Sequence, residues 1–210
     1  GTDDGAPQFY SSTGSLGTQQ ASLINTIGDE NNITYILPTM GGLTVGASFK
    51  DAGAGAAENA DETEVAAQYE FESGAIKGSL HYAGNNISGA NAGDSSTNSS
   101  AMGITLSSGP IKFIYAHAEN DQSNAITTEA DDYGMSYQVN DALTIAVTGA
   151  EITESTGGES LDVTSVALSY NIASGLDAYL TYHDYDYKAG TSGATSDDGS
   201  TIAITLTTTF

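Results

Sequence analysis

The sequence predicts an all-β protein, an antiparallel up-and-down β-barrel that crosses a membrane. Apolar and polar residues alternate with a period of two over segments of about ten residues, and no window keeps a helical period. Short turns and long polar loops follow one another in alternation along the chain. Aromatic residues gather near both ends of the predicted strands. Each of these observations is typical of transmembrane barrels.

The alternation defines eleven strands. They are predicted at 33–38, 43–50, 63–72, 75–83, 100–107, 110–118, 131–139, 142–151, 162–172, 175–186 and 200–210. In the last strand, Ile202, Ile204 and Leu206 alternate with Ala203, Thr205 and Thr207. One face of each strand is therefore predicted to be apolar and outward, and the other face polar and inward.

The connections predict two unlike ends of the barrel. Short turns follow every other strand at 39–42, 73–74, 108–109, 140–141 and 174, and long loops intervene at 51–62, 84–99, 119–130, 152–161 and 187–199. The turns are built mainly from residues that tolerate turn geometry. Transmembrane barrels have short periplasmic turns and longer external loops, so we expect the short turns at the periplasmic end.

Alternation alone also fits a soluble sandwich, in which the apolar face forms the core. The aromatic residues favour the barrel, because their rings prefer the headgroup level at both membrane interfaces. The expected belt residues near the short turns are Tyr69, Phe71, Tyr137, Tyr170 and Phe210, and those near the long loops are Phe49, Tyr82, Tyr115 and Tyr182.

Composition excludes several classes of function. The net charge of −23 comes from 27 acidic residues against 4 lysines, which argues against nucleic acid as a partner because phosphate binding needs basic clusters. The chain contains no cysteine, which excludes a disulfide scaffold and a cysteine nucleophile. No stretch is long and apolar enough for a membrane helix, and we expect any signal sequence to have been removed.

Both ends of the chain carry a family resemblance. The last strand, from Ile202 to Phe210, ends on an aromatic residue. The opening segment contains Asp3-Asp4, the run Pro7 to Tyr10 and the run Asp29 to Tyr35. These stretches resemble the terminal strand and the later half of the constriction loop of Gram-negative general porins, of the alphaproteobacterial type.

The resemblance implies that residues 1–32 are part of a constriction loop and that residues 33–210 form barrel strands. The complete family fold has sixteen strands, so about five would be missing from this chain. Alternatively, residues 7–17 supply a twelfth strand and close a smaller barrel. The resemblance further implies an outer-membrane homotrimer that is not an enzyme, a water-filled channel for passive diffusion of small hydrophilic solutes and ions. Its partners would be outer-membrane lipid, lipopolysaccharide and, through the last strand, the barrel-assembly machinery.

Charged residues provide candidate pore sites. The resemblance implies constriction carboxylates at Asp3, Asp4, Asp29 and Glu30. The expected charges on the lumen wall are Lys50, Glu70, Glu72, Lys77, Lys112 and Asp177. Because the chain has no arginine and Lys77 and Lys112 lie just past short turns, we expect preference for cations.

Acidic groups near the long loops raise the question of metal. No cofactor is required, but Glu129, Asp131 and Asp132 are candidate ligands for a structural calcium ion, which takes six to eight oxygen ligands. Solubility and cation-bridged contact with lipopolysaccharide are the alternative roles for these carboxylates.

Three other functions stay open at this point. A secreted or surface calcium-binding adhesive β-protein is the main alternative, with the apolar face buried as an ordinary core. An outer-membrane hydrolase and a nonconducting anchor are the others, although no Gly-x-Ser-x-Gly motif appears around a serine.

Overall fold

The computed structural model describes residues 32–50, 61–88, 97–122, 126–155, 157–190 and 196–208. These residues confirm the all-β prediction and form eleven strands in one sheet. The strands are β1 (Asn32–Ile36), β2 (Leu43–Lys50), β3 (Glu62–Ser73), β4 (Ile76–Ile87), β5 (Thr97–Ser108), β6 (Ile111–Gln122), β7 (Ile126–Gln138), β8 (Leu143–Glu154), β9 (Ser160–Ala173), β10 (Leu176–Lys188) and β11 (Asp197–Thr208).

The sheet is an antiparallel meander, because each strand pairs with the strands before and after it in the chain. In the described part of the chain, β1 and β11 do not pair with each other, so the sheet is open. Residues 7–17, the alternative twelfth strand, lie outside the described residues.

The short turns join odd strands to the following even strands, as predicted. At the turn after β3, Gly74 has a φ of 63°, which favours glycine because a Cβ crowds the left-handed region. At the turn after β7, the Asn140 Oδ1 atom accepts hydrogen bonds from the backbone N–H groups of Ala142 and Leu143, each at 2.9 Å. Asparagine side chains stabilise turns in this way.

The strands are staggered relative to the hydrogen-bond register. A row of paired residues that starts at Leu43, the first residue of β2, passes through Tyr69, Tyr115 and Gly149 and reaches Ser200. Ser200 lies well inside β11, whose last residue is Thr208. A stagger of this kind accompanies the strand tilt of barrels.

The two faces of the sheet differ in accessibility. On β11, Ile202, Ile204 and Leu206 are 68%, 77% and 65% exposed, whereas Ala203, Thr205 and Thr207 between them are partly covered. A flat single sheet would expose both faces equally, so the sheet curves with the apolar side chains on its convex face. We call this convex face the outer face and the other the inner face.

This arrangement removes the basis for the soluble sandwich. In a sandwich the apolar rows pack against a second sheet. Here the described strands pack extensively only against their neighbours in the meander, and the large exposed apolar side chains lie mostly on the outer face. Within the described ranges, no helix has both the length and the apolar character needed to span a bilayer.

The strands extend further toward the long loops than predicted. β6 continues to Gln122 and β7 begins at Ile126, so the predicted loop at 119–130 is largely strand. The same correction applies at 84–99, 152–161 and 187–199. The reason is that both faces of these strand ends are polar. Their sequence therefore shows no alternation of apolar and polar residues, although the backbone hydrogen bonds between the strands continue.

Three aromatic rings cover glycines on the neighbouring strand. The directly paired residues are Phe71 with Gly78, Tyr133 with Gly149, and Tyr185 with Gly199. In each pair the ring occupies the space that a Cβ atom on the glycine would need. Such pairs stabilise sheet glycines, which lack a side chain of their own to pack.

Candidate functional site

The inner face is the candidate site, because it combines small residues with charged ones. Near β2 to β5 it forms a cavity of about 410 Å³, whose lining includes Thr44, Gln68, His81, Gly103 and Thr105. A second cavity of about 500 Å³ lies toward the short turns, with Glu70, Glu72, Lys77, Ser79 and Ser107 in its lining. Small inward residues leave space that water can occupy.

Hydrogen bonds connect the polar side chains of this wall. The Gln68 Nε2 atom donates to Glu70 Oε1 at 2.9 Å, and Ser79 Oγ lies 2.8 Å from His81 Nε2. Lys77 Nζ lies 3.9 Å from Glu72 Oε2, directly across β3 and β4. Both partners of this ion pair are exposed, so it contributes little to stability, and both charges stay accessible to solvent.

A further set of polar groups lies on the inner face away from these cavities. Asn85 Nδ2 donates to the buried Glu62 Oε1 at 2.7 Å, and Ser165 Oγ lies 2.7 Å from His183 Nδ1. The sequence prediction missed Glu62, because it assigned this residue to a loop. Glu62 lies an even number of residues before Glu64, Glu70 and Glu72. This spacing could have predicted that it lies on the same face of the strand as they do.

The six predicted wall charges all lie on the inner face by strand parity. The structure brings Glu70, Glu72 and Lys77 together around one cavity. The other three lie apart. Lys50 is paired in register with Glu62, Lys112 lies opposite Ser107 and Ser136, and Asp177 accepts a hydrogen bond from Asn171 Nδ2 at 2.7 Å. The predicted constriction residues Asp3, Asp4, Asp29 and Glu30 lie outside the described residues.

The predicted belt residues within the described ranges lie on the outer face. Tyr69 and Phe71 stack with ring centroids 5.9 Å apart. The rings of Phe49, Tyr82, Tyr115, Tyr137, Tyr170 and Tyr182 are exposed. Phe210 lies outside the described residues. The assignment of these rings to membrane interfaces stays a prediction.

The candidate calcium ligands do not converge on one point. Glu129 and Asp131 share the outer face of β7, whereas Asp132 lies on the inner face and is buried. Asp131 Oδ1 accepts a hydrogen bond from the Tyr115 hydroxyl at 2.6 Å and lies 3.1 Å from His117 Nδ1. Among the described residues, no three His, Cys, Asp or Glu side chains form a group that could hold a metal ion.

Several solved structures are similar to this fold. An anion-selective porin from Comamonas acidovorans is 14% identical, with a TM-score of 0.58, and the match covers 84% of this chain and 57% of that one. The trimer form of OmpT from Vibrio cholerae is 16% identical, with a TM-score of 0.59, and the match covers 99% of this chain and 69% of that one. A porin refined at 1.8 Å is 17% identical, with a TM-score of 0.54 and coverage of 83% and 60%.

These values show a shared fold, and the chain spans about three fifths of the length of the two porins. No curated protein matches the chain. A family model described as Gram-negative porin matches residues 1–190, which is most of the sequence. The chain therefore belongs to the Gram-negative porin family, whose members lie in the bacterial outer membrane.

Proposed function

We propose that this chain forms the wall of a water-filled channel through which small hydrophilic solutes and ions diffuse across the outer membrane. The observation that carries the proposal is the contrast between the two faces of the sheet. The outer face exposes rows such as Ile202, Ile204 and Leu206, which suit hydrocarbon, and the inner face carries small and polar residues. Passive diffusion requires no catalytic step, so no enzymatic activity is part of the proposal.

Charge on the inner face supports a preference for cations. β3 alone carries Glu62, Glu64, Glu70 and Glu72 on this face, whereas the inward lysines expected from the sequence are Lys50, Lys77 and Lys112. Rings and clusters of carboxylates attract cations in channels. The porin from Comamonas acidovorans is described as anion-selective, so selectivity here would differ from that of a protein with the same fold.

The assembled state is proposed as a homotrimer, since a structural neighbour from Vibrio cholerae is described as a trimer form. Asp3, Asp4, Asp29 and Glu30 are proposed as constriction carboxylates, supported by the porin resemblance of residues 1–32. Outer-membrane lipid, lipopolysaccharide and, through the last strand, the barrel-assembly machinery are proposed partners, supported by the family resemblance of the whole chain. The channel needs no cofactor, and bound calcium near the long loops is proposed from the number of carboxylates there.

Conductance across a planar bilayer tests the function. The folded protein, purified in detergent, should insert in steps of current, and a KCl gradient should give a reversal potential of the sign that marks cation preference. Heat-denatured protein serves as the control and should give no steps. Efficient insertion without any conductance would contradict the channel, and a reversal potential of the opposite sign would contradict the cation preference alone.

A further inference from the structure

Aromatic rings on the inner face are concentrated on one strand. Among the described strands, the tyrosines on the inner face all lie on β10: Tyr179, Tyr185 and Tyr187. The other described tyrosines and the described phenylalanines lie on the outer face by strand parity. The three inward rings are half-buried, and neither the expected aromatic belts nor the charges of the wall account for them.

The ring of Tyr185 lies flat on the wall. A Cβ atom on Gly199 of β11 would lie 2.9, 3.0 and 3.0 Å from the hydroxyl oxygen, Cε1 and Cζ of Tyr185. A point almost equally far from these three bonded atoms lies above the ring plane, so one face of the ring covers Gly199. The hydroxyl donates a hydrogen bond to Asp197 Oδ2 at 3.1 Å, which holds the ring in place. The opposite ring face is therefore directed away from the sheet, into the lumen.

A second ring and a carboxylate adjoin Tyr185. Tyr187 lies two residues further along the same face of β10 and pairs directly with Asp197 of β11. Asp197 is exposed, so its charge is accessible beside both rings. We call Tyr185, Tyr187 and Asp197 the aromatic site. Tyr179 lies roughly 20 Å from Tyr185 along the strand and is too distant to share a small ligand with it.

Apolar residues border the aromatic site on the side of β9. Tyr185 pairs with Val163, which is 5% exposed, and Tyr187 pairs with the half-buried Leu161. Ile152 of β8 continues the same row beyond Leu161. This border contrasts with the charged and hydroxyl side chains that line the inner cavity toward the short turns. A ligand at the aromatic site would therefore contact apolar surface on one side and a carboxylate on the other.

The charges around this part of the lumen are negative. On the inner face of β8 to β11, the described residues include the carboxylates Glu154, Asp177 and Asp197 and no lysine. Lys188, at the end of β10, lies on the outer face with Asp186. The electrostatic potential near the aromatic site therefore favours a cation over an anion.

Ring faces add a preference among cations. The quadrupole of an aromatic ring places negative charge above and below the ring plane, so cations bind over the ring. An organic ammonium ion gains most, because it holds water weakly and its hydrocarbon groups can pack on the apolar border. Aromatic side chains recognise quaternary ammonium groups in this way in other proteins.

We propose that the aromatic site binds small organic ammonium ions at the long-loop end of the lumen. The ring face of Tyr185 contacts the cationic head, Tyr187 supplies a second ring beside it, and Asp197 supplies the opposite charge. This inference rests on the proposed channel and adds to it a class of solute that interacts with the wall.

Choline is the probe, and its binding is measured by saturation-transfer NMR on the folded protein in a nonionic detergent. The unaltered chain should give a saturable choline signal. Tyr185→Leu should weaken the affinity about fivefold, because it removes the ring but keeps an apolar side chain. Tyr182→Leu removes a tyrosine from the outer face of the same strand and should leave the affinity unchanged. No saturable binding, or equal affinities of the two variants, would overturn the proposal.

Tyr185→Phe separates the ring from its hydroxyl. It keeps the ring face and should retain the affinity within about twofold, since cation binding needs the ring and not the hydroxyl. A loss as large as that expected of Tyr185→Leu would overturn the role of the ring.

Adjacent carboxylates on opposite faces test the charge, even if Tyr185→Leu does not fold. Asp197→Asn keeps an acceptor for the Tyr185 hydroxyl but removes the charge, and it should weaken choline binding about threefold, as expected for an exposed ion pair. Asp198→Asn removes the same charge from the outer face and should have no effect. Equal losses would overturn the assignment of Asp197 to the site.

A neutral analogue distinguishes cation binding from simple apolar contact. In this analogue a tert-butyl group replaces the trimethylammonium group of choline, so shape and size are kept. It should bind at least about fivefold more weakly than choline. Equal binding would mean that the site takes neutral solutes, and it would overturn the proposed class of ligand.

The binding site and the channel fail in different ways. Binding is read on folded protein without any current, and conductance in KCl is measured separately. A conducting protein without saturable choline binding would retain the channel and overturn the aromatic site. A nonconducting protein that binds choline through Tyr185 would retain the site and overturn the channel.

Discussion

Glu151 of β8 and Asp162 of β9 lie directly opposite each other in the antiparallel register, both on the outer face. They belong to a row of carboxylates that runs across five strands, from β7 to β11: Asp131, Glu151, Asp162, Asp186 and Asp198. Like charges in direct cross-strand pairs are destabilising. Two neighbouring side chains partly offset this. His117 Nδ1 lies 3.1 Å from Asp131 Oδ1, and Lys188 Nζ lies 3.7 Å from a carboxylate oxygen of both Asp162 and Asp186.

Removing one charge from this row should therefore stabilise the protein. We expect Glu151→Gln to raise the free energy of unfolding by about 0.5 kcal/mol at low salt, since it relieves repulsion with Asp131 and Asp162. The gain should shrink in high salt, which screens exposed charges. Urea unfolding in detergent at two ionic strengths measures it. Asp141→Asn in the turn after β7 is the control, and an equal gain there would show that the row has no special role.

Removing the cation should act in the opposite direction. Lys188→Met keeps much of the apolar stem but leaves Asp162 facing Asp186 without the ammonium between them. We expect a loss of about 0.5 kcal/mol in unfolding free energy, since exposed ion pairs are weak. The double variant Lys188→Met with Asp162→Asn should recover much of the loss. Failure of this recovery would mean that Lys188 acts through packing and not through charge.

Glycines beneath aromatic rings should not tolerate a methyl group. Gly149→Ala places a Cβ where the Tyr133 ring lies, so the ring must move or the strands must separate. We expect a loss of about 1–3 kcal/mol in unfolding free energy, typical of overpacking. The matched control is Gly46→Ala, whose Cβ would meet Ile36 Cγ1 at an ordinary 3.5 Å. A double-mutant cycle with Tyr133→Leu should show strong coupling, and additive effects would contradict the contact.

Selectivity should depend on which face carries a carboxylate. Neutralising Glu70 and Glu72 together, as Glu70→Gln with Glu72→Gln, should shift the reversal potential in a KCl gradient toward zero, because both line the accessible inner cavity. The control, Glu151→Gln with Asp162→Asn, removes the same formal charge from the outer face. Equal shifts in the two variants would show that total charge, and not charge on the inner face, determines ion preference.

The sequence was sufficient for the number, order and facing of the strands. Ile202, Ile204 and Leu206 alternate with small or polar residues, and this pattern by itself distinguishes the two faces. It was not sufficient for the strand ends near the long loops. Glu119 and Glu129 are paired across β6 and β7. In the sequence these polar residues resemble a loop, because a strand with solvent on both faces shows no apolar alternation.

Which small residues of the inner face are buried was also beyond prediction. Ala116 and Thr105 both appear as small inward residues in the sequence, and only accessibility separates them. Accessibility depends on what lies over a residue in space, which strand periodicity does not encode. The charges Glu70, Glu72 and Lys77 could be placed on the inner face from parity, whereas their grouping around one cavity required the register.

In the proposed channel, the stagger of the sheet has a consequence for a permeating ion. The row of paired residues from Leu43 to Ser200 begins at the short-turn end of β2 and finishes well inside β11. It therefore follows a helical path around the axis of the proposed pore. Side chains paired in this row on successive strands therefore lie at successively different positions along that axis. An ion passing through the proposed channel would meet their charges one strand after another, and not as a ring at a single depth.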